Sequence, residues 1–421
     1  MGKHVGRRTR NVKKERNSSV ELLRLIAMLM IVAHHYVTMN PLIRHLDMEP
    51  ISGRLFVFEG IYALGKIGLV IFFLISAWYL CEERNPTIRK GLKRSWILER
   101  EVLFYSLGFM LLFVVFRPDL ISKKTIVYSF IPTTSGLVWW YVTAYVLFLC
   151  LSPYITVGLR AIGKKAHGAL CMFMLVVWGA VSGMLPFDMF QLIGQSFIDF
   201  LYLYVLMTFY RWYLDDWSRK TAWALVGAGV VLIMGSIVVL QFLGSALHID
   251  ALRIHSHYLS SKCVMVPVIM IGFGLLLLAE RRFFVNKVIN YLAGTTFGIY
   301  LIHSYPPVRE LLWHQWFVAE RDYRMPHAVL RAAVSILIVF VGCMVVDCMR
   351  KALFSVTVDR NRGGWFDRVA RFVDSRTWVR RLRAVVADEP AAAAGDIGSA
   401  ALLNQADQPI PPTDVSVSRD A

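Results

Sequence analysis

Residues 21–35, ELLRLIAMLMIVAHH, form an apolar run with an arginine near its start and two histidines at its end. Arg24 and His35 are eleven positions apart. At 100° per residue they lie about 20° apart on one helix face and about 16 Å apart along the axis. Glu21 sits one turn before Arg24 on that face, whereas His34 is turned about 80° from the line. The plainer reading is that Arg24 snorkels to headgroups and the histidines reach the opposite interface. Ionisable groups inside a membrane span are costly, however, and are by default functional.

The rest of the chain supports a membrane setting. It has 421 residues, 57% hydrophobic and 18% charged. Apolar runs of about 17 to 22 residues alternate with polar islands, the pattern of an all-α polytopic membrane protein. About ten spans are expected, near residues 19–39, 61–81, 101–116, 138–157, 168–185, 196–211, 222–243, 263–280, 288–305 and 329–349. They make one membrane domain, 19–350, between a basic arm (1–18) and a tail (351–421). The net charge of +17 suggests nucleic acid, but its distribution excludes that class: 33 of the 46 Lys and Arg fall on alternate loops, ten on the others, and Arg24, Lys66 and Arg331 within spans. The positive-inside rule then places both termini in the cytoplasm. The six cysteines lie in or beside apolar runs, with no CxxC pair and no disulfide framework. The first apolar run exceeds a signal-peptide core and lacks a cleavage site, so it is expected to stay as the first span.

Several residues ask for a chemical reading. Lys66 enters the second span about 8 Å below its outer edge, close to the depth of His35; snorkelling explains it about as well as chemistry. The loop EERNPTIRKGLKRSWILER (82–100) carries Lys93, Arg94 and Arg100, equally a topology signal and a phosphate site. Trp139, Trp140 and Tyr141 read first as an aromatic belt, although three such rings beside a polar site also stack on sugars. Asp199 makes the sixth span the weakest. His255 and His257 form HxH in an outer loop with His248; the sequence places no third ligand nearby, so the loop reads as solvated and no metal is expected. Span nine ends in FGIYLIHSYPP, with His303 about 22 Å from Val288 and therefore level with His35. In the tail, Trp365, Phe366, Val369, Phe372 and Val373 recur at helical spacing among arginines, as in a helix lying on an anionic leaflet. Beyond Asp388 the sequence is low in complexity and expected to be disordered.

Four stretches together resemble the bacterial acyltransferase-3 family, integral-membrane enzymes that move acyl groups, usually acetyl, from cytoplasmic acyl-CoA onto surface glycans. They are ELLRLIAMLMIVAHHY, with Arg24 and His35 at the family's spacing, GLVIFFLISAWYL, LVWWYVTAYVLFLCLSP and TTFGIYLIHSYP. Where the family commonly has SG after the paired phenylalanines, this chain has Ser76 and Ala77. Its pair of arginines three apart before span three reads Ile97 and Arg100, with Arg94 as the substitute. No appended esterase-like domain is visible.

The resemblance implies acyl-CoA, usually acetyl-CoA, as donor, a glycan or lipid-linked sugar as acceptor, and a bacterial cytoplasmic membrane location. Arg24, Arg94 and Arg100 are then the donor-phosphate candidates. A sugar hydroxyl ionises far above neutral pH, so its attack on a thioester needs a base. His35 is the candidate, with His303 orienting the acceptor or stabilising the oxyanion. Glu21, Lys66, Trp140, Tyr141 and Tyr300 are the substrate-binding candidates. The alternative from another class is a secondary transporter or flippase, since buried His, Arg, Lys and Asp also describe proton-coupled carriers. No inverted repeat between the halves supports it.

Overall fold

The computed structural model describes residues 15–181 and 196–379 and contains no strand among them. The greater part of the basic arm, the last residues of the expected fifth span and the low-complexity end of the tail lie outside the described residues. The helices start where short polar side chains satisfy the free N–H groups of a first turn. Asn17 accepts from Ser19 N at 3.0 Å and opens α1 (Ser18–Thr38). Ser52 opens α2 (Gly53–Leu80), Thr87 opens α3 (Ile88–Phe116) and Ser122 opens α4 (Lys123–Phe130). There follow α5 (Trp140–Met174), α6 (Phe197–Tyr213), α7 (Arg219–Leu247), α8 (Val266–Glu280), α9 (Lys287–Ala293), α10 (Thr296–Ser304) and α11 (Ala328–Val356).

Among the described residues five helical stretches are long and apolar enough to cross a membrane: α1, α2, Trp140–Val181, α7 and α11. With the run of apolar sequence they make this a multi-pass membrane protein. Their burial sorts them by position. In α2, 61% of the apolar window is buried inside the protein, against 17% in α7 and 28% in α11. A helix apolar all round belongs in an interior or in lipid. α2 is therefore the central helix, packed on α1, α6 and α8, while α7 and α11 turn rows of Val, Leu and Ile outward.

The polar segment expected at 158–167 holds the break between two helices, at Gly163, whose φ of 71° a side chain would resist. Two other sequence expectations change in detail. Span nine is broken between α9 and α10, where the Thr295 and Thr296 hydroxyls bond the carbonyls of Leu292 (2.7 Å) and Ala293 (2.9 Å). Asp199 lies at the start of α6, accepting from Ser196 N at 3.1 Å, so it serves as an end cap.

The chain divides into two units, one reaching Arg360 and one from Asn361. The second contains α12 (Gly364–Ser375), on which Trp365, Val369, Phe372 and Val373 are all exposed.

Candidate active site

A cavity of about 550 Å³, counting its open mouth, lies among α1, α2, α5 and α10. Its polar lining is His34, His35, Lys66, Trp140, Tyr141 and Tyr300, and Met28, Ile31, Leu69 and Phe72 supply apolar wall. Five of the candidates read from the sequence thus converge from four helices. Trp140 and Tyr141 face this cavity and do not form an interfacial belt. Tyr141 is buried, and its hydroxyl has no hydrogen-bond partner among the described residues.

The histidines occupy fixed orientations. His303 Nδ1 is 2.6 Å from the Ile299 carbonyl, one turn earlier on α10. A carbonyl only accepts, so Nδ1 carries the proton and Nε2 of the neutral ring keeps a lone pair. That Nε2 lies 2.8 Å from His35 Nδ1. His35 therefore donates through Nδ1, and its own Nε2 is left as an acceptor with no partner among the described residues. A proton gained at His35 Nε2 leaves a charge steadied by His303 and, through it, by the Ile299 carbonyl. His303 itself is fully buried and is not among the cavity-lining residues. It stands behind His35, away from the cavity wall.

His34 also lines the cavity, although helix phase turns it from the Arg24 line. The cavity spans both directions because α2 runs very close to α1. A Cβ on Gly65 would stand 2.1 Å from the His34 ring, and one on Gly68 would stand 2.6 Å from the Ala27 carbonyl. His34 Nδ1 donates to the Tyr62 carbonyl at 2.6 Å. Lys66 forms no ion pair among the described residues, so the cavity holds a cation without a fixed counter-charge.

The arginines lie elsewhere. Arg24 pairs with Glu21 at 3.0 Å, and Glu21, a substrate candidate by sequence, is buried as its counter-ion, away from the cavity lining. Arg94 and Lys90 each meet Glu83 at 2.9 Å. Partial burial pushes the Glu83 carboxyl up, but hydrogen bonds from Arg94 and Lys90 prevail and hold it below the usual range. Arg100 bonds Asp359 at 2.8 Å and the Val358 carbonyl at 3.2 Å, which gives it a tethering contact at the end of α11. Tyr145, stacked on Tyr141 at 5.7 Å, is within electrostatic range of both Arg24 and Arg94.

Two groups escaped the sequence reading. Asp347, fully buried on α11, accepts from Tyr105 Oη at 2.7 Å and from Arg350 at 2.7 and 3.0 Å, and Arg350 also meets Glu101 at 3.1 Å. The available signal was an acid inside an apolar helix. The reading of the histidine loop as solvated is also corrected: His255 is exposed, but His257 is 18% exposed and lies 3.1 Å from Asp47.

The sequence matches the model of a family described as "Acyltransferase domain" over residues 17–348, most of the chain and all of the cavity. No curated protein and no solved structure matches it.

Proposed function

Because this chain belongs to the acyltransferase-3 family and is a membrane acyltransferase, we propose that it moves an acyl group, acetyl being the simplest, from cytoplasmic acyl-CoA to a hydroxyl of a surface glycan or its lipid-linked precursor. The observation that carries this reading is the relay from His35 through His303 to the Ile299 carbonyl beside an accessible cavity. His35 Nε2 takes the hydroxyl proton as the oxygen attacks the thioester carbonyl, the carbon–sulfur bond breaks, and the proton passes to the departing thiolate. Lys66 and the Tyr141 hydroxyl supply positive charge and a hydrogen bond where oxyanion charge develops. Tyr300 and Trp140 offer walls to a sugar ring.

The donor enters from the side of Arg94 and Arg24, with its phosphates on those arginines and its pantetheine arm passing Tyr145. Arg100 contributes only if it releases Asp359. This assignment goes with ten spans, both termini in the cytoplasm of a bacterium, and α12 resting on the inner leaflet.

Purified chain in detergent, given acetyl-CoA with a labelled acetyl group, is expected to release free thiol and to place label on a hydroxyl acceptor or on water. Absence of donor turnover together with uptake of a small acid or glycan in liposomes would indicate a carrier instead. In the same assay, Arg94→Ala is expected to raise the apparent donor KM more than it lowers kcat, with partial rescue by lysine. An unchanged donor KM would leave Arg94 as a topology signal paired to Glu83.

A further inference from the structure

Asp47, Glu59 and His257 meet although the sequence separates them by up to 210 positions. Asp47 lies in a short turn after α1, Glu59 on the second turn of α2, and His257 on the connection from α7 to α8. One ligand atom from each lies within 4.8 Å of the others. His257 Nδ1 stands 3.1 Å from Asp47 Oδ1 and 3.7 Å from Glu59 Oε2. Glu59 is fully buried, and neither of its oxygens accepts a hydrogen bond from any described group. A buried carboxylate left in that state is expensive, and the neighbouring Asp47 raises the cost.

We propose that these three side chains bind a divalent cation of the zinc class. Two carboxylates and one imidazole are suitable ligands, and a +2 ion neutralises the two acids. Tetrahedral ligands at about 2.0–2.2 Å from a metal stand about 3.3–3.6 Å apart, between the two distances found here. The site takes one ligand from each of three segments and leaves a fourth position open to water. It also lies one residue from the acyl-transfer cavity. The Tyr62 ring packs on His257 at 4.3 Å, and the Tyr62 carbonyl holds His34. The same outer layer is tied by Gln241 to the Asp47 carbonyl (3.1 Å) and by Arg253 to the Glu49 carbonyl (2.6 Å). The cation thus fastens the outer connections over the His34 wall of the cavity. This reverses the sequence expectation of no metal, and it stands whether or not the acyl-transfer reading does.

The test uses the full chain in detergent, free of any affinity tag and stripped with chelator. Zinc alone should bind at one equivalent and raise the midpoint of thermal unfolding. Cobalt should give a visible ligand-field spectrum that zinc abolishes. His257→Ala and Asp47→Asn, both at part-exposed positions, should remain monodisperse and lose the tight equivalent, the cobalt spectrum and the zinc-dependent rise. Glu59→Gln should do the same. If Glu59→Gln does not fold, the other two variants decide. A wild-type chain that binds no zinc, or three variants that keep the equivalent, would overturn the site.

Discussion

His35→Ala is expected to lower acyl transfer by about 10²- to 10⁴-fold, the usual contribution of a general base, while folded protein in the membrane stays at wild-type abundance. The fold should survive because the His35 side chain makes one hydrogen bond among the described residues, to His303, whose Ile299 contact persists. His34→Ala is the demanding control. His34 lines the same cavity and, held by the Tyr62 carbonyl, also has an Nε2 with no hydrogen-bond partner among the described residues. It lacks the second imidazole behind it, so its loss should cost far less, through substrate placement, and appear in acceptor KM more than in kcat. Transfer per mole of monodisperse protein separates the two. Equal loss in both variants would make the histidines a joint site; full specific activity in His35→Ala would remove it from the chemistry.

The second large effect concerns stability. Asp347→Ala should destabilise the membrane domain by about 3–5 kcal/mol, the range for breaking a buried ion pair from one side. Arg350 would keep Glu101 as partner but lose its two bonds to Asp347, and the Tyr105 hydroxyl would be stranded. Gly298→Ala attacks the same cluster from α10: its Cβ would stand 1.8 Å from Asp347 Oδ1. Because α10 also carries His303, that variant should lose activity even where it remains folded. The check is the thermal midpoint of detergent-solubilised protein for both variants. A midpoint unchanged in Asp347→Ala would show that the cluster carries little of the stability.

How much of this was legible in the sequence varied with the distance over which residues meet. Within α1, helix phase and rise were enough to single out His35, and counting along span nine was enough to set His303 level with it. That depth match is realised as a 2.8 Å contact. Helix phase alone exaggerated the difference between His34 and His35, because the approach of α2 through Gly65 and Gly68 widens the shared face. The tautomer of the relay depends on a backbone carbonyl at Ile299, which no side-chain pattern announces. The Asp47, Glu59 and His257 group joins separate loops and a helix, so no local spacing foretells it. Charge was the more ambiguous signal: Arg160, Lys164 and Lys165 flank the break at Gly163, whereas Arg100, read as a phosphate candidate, meets Asp359.

A double-mutant cycle on single-turnover acyl transfer asks whether His35 and His303 act as one unit on the hydroxyl proton. Groups acting as a unit are strongly non-additive. His303→Ala should slow transfer in the wild-type background, since it frees the His35 ring to turn, and should change little once His35 is already alanine. Losses that simply multiply, with each substitution costing the same in either background, would contradict the relay.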